Sequence, residues 1–278
     1  QTKARIGAVV DNGIIDLTSI APDMKALLEL REAGLEQAKA LVDAGNDVIP
    51  MDQVALQAPV GNPGKILAIG LNYADHINET QLPKPEYPTF FTKHSTCVIG
   101  NGEAIHRPIV SEKLDYEGEL AFVIGKRCKH VPLNKAHQVI AGYTIVNDVS
   151  VRDWQIRSPT WMLGKSFDTH GPMGPWLVTA DEIKDPHDLN LKTWIDKELR
   201  QDSNTCNMIF NCYEMVAYLS QAMTLEPGDV ISTGTPSGVG VKMKPRGYMK
   251  PGQTVKIEIE GIGTLINHVI EEPAEVSY

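Results

Sequence analysis

Two glutamates in the stretch KLDYEGELAFVIGK, residues 113–126, have a spacing that could support chemistry. The stretch is predicted to be a β-strand, and strand side chains alternate between faces, so Glu117 and Glu119 would share one face, roughly 6.5–7 Å apart. Buried carboxylates this close repel each other, and removing each from water is costly. We therefore expect a cation between them, unless the pair lies on the solvent face of an edge strand.

A third carboxylate, Asp148, ends the predicted strand GYTIVND (142–148), where a side chain can point into a cleft. The sequence contains neither an HExxH motif nor an EF-hand loop. Three carboxylates without a cysteine or histidine pattern suit hard cations such as Mg²⁺, Mn²⁺ or Ca²⁺ better than zinc. The spacing alone leaves the solvent-exposed alternative for the two glutamates open.

The segment that follows, NDVSVRDWQIR (147–157), is predicted to begin a helix. Ser150 would be its N-cap, with Asp153 three residues later in a pattern that resembles a capping box. Arg152 and Gln155 would then lie on one helical face. This places a cation and an amide beside Asp148 in a cleft with both signs of charge. The alternative is an amphipathic helix whose polar face is solvated.

A histidine and a glutamate lie one helical turn apart in GLNYADHINET (70–80). Asn72 is the predicted N-cap of this helix, and His76 and Glu79 are at positions i and i+3, so their side chains can meet. A carboxylate beside an imidazole raises its basicity and fixes its tautomer, which suits a base that deprotonates water. The alternative is a solvated surface pair.

Two glycine-containing segments could add groups to the same cleft. LGKSFDTHGPMGP (163–175) contains Lys165, which could supply positive charge near the acids; it is not a phosphate loop, because Pro159 stands where that motif needs glycine. STGTPSGVG (232–240) could expose backbone N–H groups as an anion-binding nest, or be an ordinary turn.

The composition excludes some classes of partner. The 278 residues carry 26 basic and 35 acidic side chains, a formal charge of −9, which disfavours nucleic acid as the main ligand. There is no apolar run long enough for a membrane span, and the first residues lack the apolar core of a signal peptide. We therefore expect a cytoplasmic protein. The four cysteines form no CxxC pattern and are expected to be reduced.

The chain is predicted to have two domains: a small N-terminal α/β domain over residues 1–60 and a catalytic domain over residues 61–278. The first contains a hairpin around Asn12-Gly13 and a helix over 22–45, interrupted near Gly34 and closed by Gly45. The boundary falls in the Pro/Gly connector APVGNPGK, residues 58–65.

The second domain is mostly short strands, which indicates a β-rich α+β fold. Strands are predicted over residues 65–71, 120–125, 142–148, 174–180, 190–196, 229–235 and 254–270. Helices are predicted over residues 134–142 and 211–225, the second with Asn211 as N-cap and Glu214 three residues later.

Taken together, these segments resemble the fumarylacetoacetate hydrolase family, from about Lys65 to Val269. The motifs DYEGELAFVIGK, NDVSVRDWQ, LGKSFDTHGPMGP and STGTPSGVG occur in the family's order. The resemblance implies a mixed β-sandwich roll and a homodimer. One departure is Asp196-Lys197, where relatives often have Asn-Gly, and it affects a hairpin turn rather than the site.

The resemblance also implies roles for individual residues. Glu117, Glu119 and Asp148 would be ligands of Mg²⁺ or Mn²⁺. Residues with catalytic roles would be His76, Glu79 and Lys165. Substrate contacts would come from Lys93, Arg152, Gln155 and Thr235, and the rest of the substrate pocket could be lined by Trp161, Met162 and His170.

The implied activity is metal-dependent hydrolysis of a carbon–carbon bond in a 2,4-diketo acid such as an acylpyruvate, a fumarylpyruvate or a 2,4-diketo-3-deoxy sugar acid. The same site could instead decarboxylate oxaloacetate or isomerise a 2-hydroxy-diene-dioate, since both reactions pass through an enolate. An alternative of another class is a protein that binds a metal or a small acid without turnover, although pure binding needs no base such as His76.

Overall fold

The computed structural model describes residues 4–11, 13–45, 47–81 and 83–274. Within these residues the strands are β1 (Gly7–Val10), β2 (Gly13–Asp16), β3 (Val48–Pro50), β4 (Ile66–Gly70), β5 (Thr89–Lys93), β6 (Val98–Ile99), β7 (Ala104–Arg107), β8 (Leu114–Asp115), β9 (Gly118–Ile124), β10 (Ile140–Asn147), β11 (Ser150–Val151), β12 (Gly171–Thr179), β13 (Asn190–Ile195), β14 (Glu198–Asn204), β15 (Val230–Ser232), β16 (Thr254–Ile259) and β17 (Gly263–Glu271). The α-helices are α1 (Met24–Glu29), α2 (Arg31–Ala44), α3 (Ala74–Thr80), α4 (Arg152–Gln155), α5 (Met162–Lys165) and α6 (Cys212–Ala222). Short 3₁₀ helices cover Met51–Gln53, Ser95–Cys97, Leu133–Val139, Thr205–Asn207 and Gly240–Lys242.

The strands form a seven-stranded sheet, a five-stranded sheet and two smaller ones. The seven-stranded sheet has the order β5-β4-β15-β9-β10-β12-β6, and the five-stranded sheet has the order β14-β13-β16-β17-β7. A third sheet, β1-β2-β3, belongs to the N-terminal region, and β8 pairs with β11. The predicted β-rich α+β fold is confirmed.

Strand β9 lies in the middle of the seven-stranded sheet, between β15 and β10. All seven of its residues are buried, and its side chains alternate between two apolar clusters. Leu120 and Phe122 face the main core, whereas Ala121 and Val123 face a second cluster. The edge-strand alternative for this segment is therefore wrong. The stretch 113–126 also divides into two strands, with Glu117 between β8 and β9.

The N-terminal region follows the predicted order of elements with one shift. Strands β1 and β2 pair as a hairpin, although Asn12 lies outside the described residues. The helix break falls at Leu30–Arg31, where Arg31 has φ +55°, and not at Gly34. Gly34 instead allows close helix contact, because a Cβ there would lie 2.8 Å from the Leu27 carbonyl oxygen. Gly45 ends α2 in the left-handed conformation, as predicted.

The apolar contacts of the N-terminal region extend beyond it. Leu28 of α1 and Val60 of the connector belong to the same buried cluster as Val123 and Val230 of the large sheet. A separate cluster, which includes Leu17 and Leu27, lies within the first sixty residues. The two-domain division with a boundary near residue 60 stays a prediction.

Two other predicted elements have clear outcomes. Asn211 caps α6 as predicted: its side chain accepts from Tyr213 N and Glu214 N, while Glu214 accepts from the Asn211 N–H, which completes a capping box. The predicted helix over 134–142 is wrong in part. Residues Leu133–Val139 form a 3₁₀ helix, and the remainder belongs to β10, where pairing with β9 overrides local helical preference.

The turn between β13 and β14 accommodates its unusual residues. Asp196 takes the left-handed conformation, with φ +54°, that a two-residue hairpin turn requires. Its carboxylate accepts from Thr254 N at 2.9 Å and Gln253 Nε2 at 3.0 Å, which holds the turn against β16. The Asp-Lys departure is thus confined to this turn.

All four cysteines are free thiols, as predicted. Among the helices of the described ranges, none has both the length and the apolar composition that crossing a membrane would require.

Candidate active site

Three buried carboxylates converge at one end of β9 and β10. Ligand atoms of Glu117, Glu119 and Asp148 all lie within 4.8 Å of one another, and the residues are 6%, 1% and 1% exposed. The antiparallel register explains the meeting, because Val146 pairs with Glu119 and the Asp148 N–H donates to the Glu117 carbonyl at 2.9 Å. The structure therefore brings together the three acids that the sequence singled out.

Neighbouring backbone and hydroxyl groups hold the glutamates in place. The Glu117 N–H donates to Asn147 Oδ1 at 3.0 Å. Glu119 Oε2 accepts from the Ser232 hydroxyl and from the Gly234 N–H at 2.9 Å. Strand β15 supplies the Ser232 hydroxyl, because it pairs with β9 and ends at Ser232, and Gly234 lies two residues beyond its end.

Three cationic side chains surround the acids. Lys165 Nζ lies 2.7 Å from both Glu117 Oε2 and Asp148 Oδ2. Lys93 Nζ lies 2.7 Å from Asp148 Oδ1, and Arg152 Nη1 lies 2.7 Å from Glu117 Oε1. Lys93 and Lys165 are almost completely buried. The predicted site lysines and arginine therefore reach the carboxylates directly.

The electrostatics differ sharply between the two glutamates. Burial alone would raise the pKa of Glu117, but Lys165 and Arg152 outweigh it and lower the pKa to about 2. Burial, followed by the charges of Asp148 and Glu117, raises the pKa of Glu119 well above its ordinary value. Burial lowers the pKa of Lys165, but Asp148 and Glu117 outweigh it and raise the pKa overall.

The donor set fits a hard divalent cation. It consists of carboxylate oxygens alone, as Mg²⁺ or Mn²⁺ prefers. In the described part of the chain, no lysine or arginine nitrogen lies within 4.0 Å of Glu119, unlike the other two acids. A divalent cation bound by the three acids would compensate the negative charge of Glu119, which has no lysine or arginine partner of its own.

The His76–Glu79 pair of α3 is formed. His76 Nδ1 lies 3.1 Å from Glu79 Oε2, and Glu79 Oε1 accepts from the Gly238 N–H at 3.0 Å. The side chains are only 12% and 23% exposed, so the solvated-pair alternative is not supported.

Asn72 was predicted to cap α3, and that prediction is wrong. The N-cap is Tyr73, without a side-chain hydrogen bond. The buried Asn72 amide instead donates to the carbonyls of Phe210 and Thr233 and accepts from the Phe210 N–H. These long-range contacts use both N–H donors and the oxygen of a fully buried amide, so they outweigh the local cap.

The segment after Asp148 forms the single turn α4, and its predicted capping box is also wrong. Ser150 lies in β11, and its hydroxyl donates to the Asp148 carbonyl at 2.9 Å. Asp153 accepts from the Ser111 hydroxyl. Arg152 and Gln155 do share a face, since Arg152 Nη1 donates to Gln155 Oε1 at 3.0 Å. Arg152 is 8% exposed, which excludes a solvated polar face for this residue.

Thr235 and His170 contact backbone groups and other side chains rather than the three carboxylates. The Thr235 hydroxyl donates to the Gly118 carbonyl at 3.0 Å and accepts from Gln201 Nε2. His170 is fully buried, and its Nε2 donates to the His106 carbonyl at 2.8 Å.

Trp161 and Met162 sit at the start of α5. Trp161 is the residue that precedes the helix and meets Phe91 edge-on with ring centroids 5.8 Å apart. Met162 is the first residue of the helix that carries Lys165. The indole ring of Trp161 packs against Gly70, where a Cβ would lie 2.4 Å from the ring. A side chain at position 70 would therefore displace Trp161.

The loop over residues 232–240 binds the chain's own carboxylates through its N–H groups. Gly234 donates to Glu119 and Gly238 to Glu79, while Gly240 donates to Asp115. The predicted nest for an external anion is thus replaced by internal contacts. Asp115 is the site residue that sequence reasoning missed. The available signal was the same alternation, because Asp115, Glu117 and Glu119 occupy every second position of this stretch.

Comparisons with known proteins identify the family to which this chain belongs. A sequence profile described as fumarylacetoacetate (FAA) hydrolase C-terminal matches residues 65–270. A relative from Xenopus laevis, named oxaloacetate tautomerase fahd2, mitochondrial, is 42% identical over 274 residues, which cover 96% of this chain and 86% of the relative.

Solved structures share the fold. The crystal structure of maleylpyruvate hydrolase from Sphingobium sp. SYK-6, in complex with manganese(II) and pyruvate, has a TM-score of 0.82 and 32% identity, and covers 98% of this chain and 97% of its own. The 2-hydroxyhepta-2,4-diene-1,7-dioate isomerase from Mycobacterium marinum has a TM-score of 0.72 and 40% identity, with 82% of each chain covered. With this profile match across most of its length, the chain belongs to the fumarylacetoacetate hydrolase family.

Proposed function

We propose that this protein is a divalent-metal-dependent enzyme that forms and protonates the enolate of a short 2-oxo acid. One observation carries the proposal: the buried carboxylate trio and the His–Glu pair both accept hydrogen bonds from the loop over residues 232–240. Gly234 binds Glu119 and Gly238 binds Glu79, so a metal site and a proton-transfer group share one support.

Glu117, Glu119 and Asp148 would hold Mg²⁺ or Mn²⁺. A divalent cation at this position would polarise the 2-oxo group of the substrate and stabilise the negative charge that develops on its oxygen. The Sphingobium maleylpyruvate hydrolase structure, a complex with manganese(II) and pyruvate, supports this assignment by similarity.

His76 would move the proton. When Nδ1 carries the hydrogen that it donates to Glu79, Nε2 has the free lone pair and can take a proton from carbon or water. Glu79 would fix that tautomer, and its second oxygen is itself fixed by Gly238. General-base catalysis of this kind contributes about 10²–10⁴ in rate.

Arg152 and Lys165 would hold the oxygens of the substrate. Lys165 has three N–H donors, and the two acids account for two of them. Arg152 Nη2 is buried and has no hydrogen-bond partner within the described residues. A carboxylate or enolate oxygen would satisfy these donors. Lys93, Gln155 and Thr235 would support the same contacts.

The first candidate reaction is keto–enol tautomerisation of a short 2-oxo diacid of the oxaloacetate type. The relative whose name carries this activity matches 96% of the chain. In this reaction His76 would transfer a proton to or from the carbon next to the 2-oxo group, and Arg152 and Lys165 would stabilise the charged oxygen between the two transfers.

The second candidate is the hydrolytic cleavage expected from the sequence, supported by the maleylpyruvate hydrolase structure. Here His76 would deprotonate a water that attacks the distal carbonyl of a 2,4-diketo acid. The same enolate then leaves, and the proton that His76 took from water converts it into a 2-oxo acid. Oxaloacetate decarboxylation and diene-dioate isomerisation would use the same contacts without an attacking water.

A panel of substrates tests these candidates. The enol of oxaloacetate, an acylpyruvate, maleylpyruvate and a 2-hydroxy-diene-dioate would each be incubated with wild-type protein and Mn²⁺, and with EDTA. We expect metal-dependent loss of the enol without release of CO₂. Cleavage of the diketo acids alone would favour the second candidate, and metal-dependent ligand binding with no turnover of any compound would contradict an enzyme.

The homodimer, the cytoplasmic location and the two-domain division stay predictions from the sequence.

A further inference from the structure

Asp115 is a fully buried acid that belongs to none of the groups described so far in the proposed mechanism. It lies in β8, directly across from Ser150 of β11, and the N–H of Arg152 donates to the Lys113 carbonyl at 3.0 Å. The short sheet β8–β11 therefore fixes the position of Asp115 relative to the backbone of Arg152.

Both oxygens of Asp115 are occupied by donors. Oδ2 accepts from Arg152 Nε at 2.8 Å and from the Val241 N–H at 2.9 Å. Oδ1 accepts from the Gly240 N–H at 2.8 Å and from the Tyr116 N–H at 3.0 Å. Four donors on one carboxylate hold it in a single orientation, which a buried charge requires.

The arrangement divides the donors of the Arg152 guanidinium. Nε is bound to Asp115, and Nη1 is shared between Glu117 and Gln155. Nη2 is left buried without a partner among the described residues. A planar guanidinium fixed through two of its nitrogens has no rotational freedom, so the direction of the third is fixed as well.

We infer that Asp115 is a positioning residue, which orients Arg152 so that Nη2 is presented to the carboxylate of the 2-oxo acid. This inference rests on the proposed function, because it assigns the anion that Nη2 receives. Asp115 would contact no substrate itself and would act on substrate binding through Arg152.

The glycine at position 240 supports the arrangement. A Cβ there would lie 2.6 Å from Asp115 Oδ1 and 2.4 Å from the Gly247 carbonyl oxygen, so only glycine lets the backbone N–H approach the carboxylate. Gly238, two residues earlier, holds Glu79. One short segment thus fixes both the arginine that receives the substrate and the pair that transfers the proton.

The test measures pyruvate binding by calorimetry in the presence of saturating Mn²⁺, and Mn²⁺ binding without pyruvate. In Asp115→Asn the new amide N–H₂ faces donors, and the guanidinium loses its charged partner. We expect pyruvate affinity to fall about 10–100-fold, as is usual when a group that orients a ligand contact is lost. Mn²⁺ affinity should remain that of wild type, whereas the thermal midpoint should fall, because the variant breaks a buried ion pair from one side.

A matched control and a double variant sharpen the result. Asp153→Asn changes a neighbouring acid on α4 that binds Ser111 and not the guanidinium, so pyruvate affinity should be unchanged. Arg152→Lys should lose pyruvate affinity by itself, and adding Asp115→Asn to it should cause no further loss, because the acid then has no guanidinium to orient. If the Asn variant does not fold, Asp115→Ser, which is smaller and still accepts one N–H, takes its place.

The outcomes separate the inference from the proposed function. Wild-type protein that binds Mn²⁺ but no pyruvate would overturn the proposed function and the inference together. Wild-type binding with undiminished pyruvate affinity in folded Asp115→Asn, or additive losses in the double variant, would overturn the inference alone.

Discussion

Gly234 and Gly238 lie four residues apart on one loop, and their N–H groups donate to two carboxylates with different chemical roles. Gly234 binds Glu119 of the acidic trio at 2.9 Å, and Gly238 binds Glu79 of the His–Glu pair at 3.0 Å. Both glycines have positive φ, +87° and +101°, and a Cβ on Gly238 would lie 1.9 Å from the Arg200 carbonyl oxygen. The loop can therefore approach both acids only because these positions lack side chains.

Replacing the proposed base should remove turnover and leave metal binding intact. His76→Ala deletes the imidazole that accepts the proton, so kcat should fall about 10²–10⁴-fold. Mn²⁺ affinity should be unchanged, since His76 is not one of the three acids. Steady-state rates on the best substrate of the panel, together with a Mn²⁺ titration, measure both.

The control for this variant is His268→Ala, an exposed histidine on β17 of the five-stranded sheet, which should keep the wild-type rate. Turnover at the wild-type rate in His76→Ala would show that another group transfers the proton.

Removing the ammonium between two acids should destabilise the metal-free protein. Lys165→Met leaves Glu117 and Asp148 without a cation that lies 2.7 Å from each. Breaking a buried ion pair from one side costs about 3–5 kcal/mol of unfolding free energy. Because a bound cation offsets the same charge, Mn²⁺ should raise the thermal midpoint of this variant more than that of wild type.

A surface pair provides the comparison. Lys126 and Glu32 are 3.0 Å apart with side chains 44% and 81% exposed, so Lys126→Met should change the unfolding free energy by only about 0–1 kcal/mol. Equal stability of Lys165→Met and wild type in EDTA would mean that Lys165 does not compensate the acids.

The fully buried His170 should make the protein sensitive to acid. Burial lowers its pKa from 6.5 to about 3. The folded state therefore stays neutral while the unfolded state takes up a proton. This contribution to stability is fully present above pH 6.5 and is lost progressively as the pH falls towards 3.

His170→Gln can still donate to the His106 carbonyl but does not titrate. Between neutral pH and about pH 4.5, wild type should lose about 2 kcal/mol more unfolding free energy than the variant. Urea unfolding at both pH values measures this difference. Identical losses in the two proteins would show that His170 does not titrate on unfolding in this range.

The local part of the site could be predicted from the sequence because it depends on periodicity. Alternation along one strand placed Glu117 and Glu119 together, and helical spacing placed His76 beside Glu79. Predictions of caps were weaker, since Asn72 and Ser150 have good local capping chemistry but are used by distant or buried partners instead.

The long-range part could not be predicted in this way. Asp115 binds the N–H groups of Gly240 and Val241, about 125 residues later in the chain, and no local pattern marks that contact. Strand β14 was not predicted for a different reason: its residues are mostly polar, and pairing with β13 across a two-residue turn outweighs their low β-propensity.

The most direct test of the central claim is a calorimetric Mn²⁺ titration of wild type and Glu119→Gln, with the exposed Glu112→Gln as control. We predict one saturable Mn²⁺ per chain in wild type and in Glu112→Gln. Glu119→Gln should lose most of that affinity, because the substitution replaces one of the three carboxylate ligands with a neutral amide. The account would be contradicted by an isotherm that is the same in Glu119→Gln as in wild type, or by wild-type protein that shows no saturable Mn²⁺ binding.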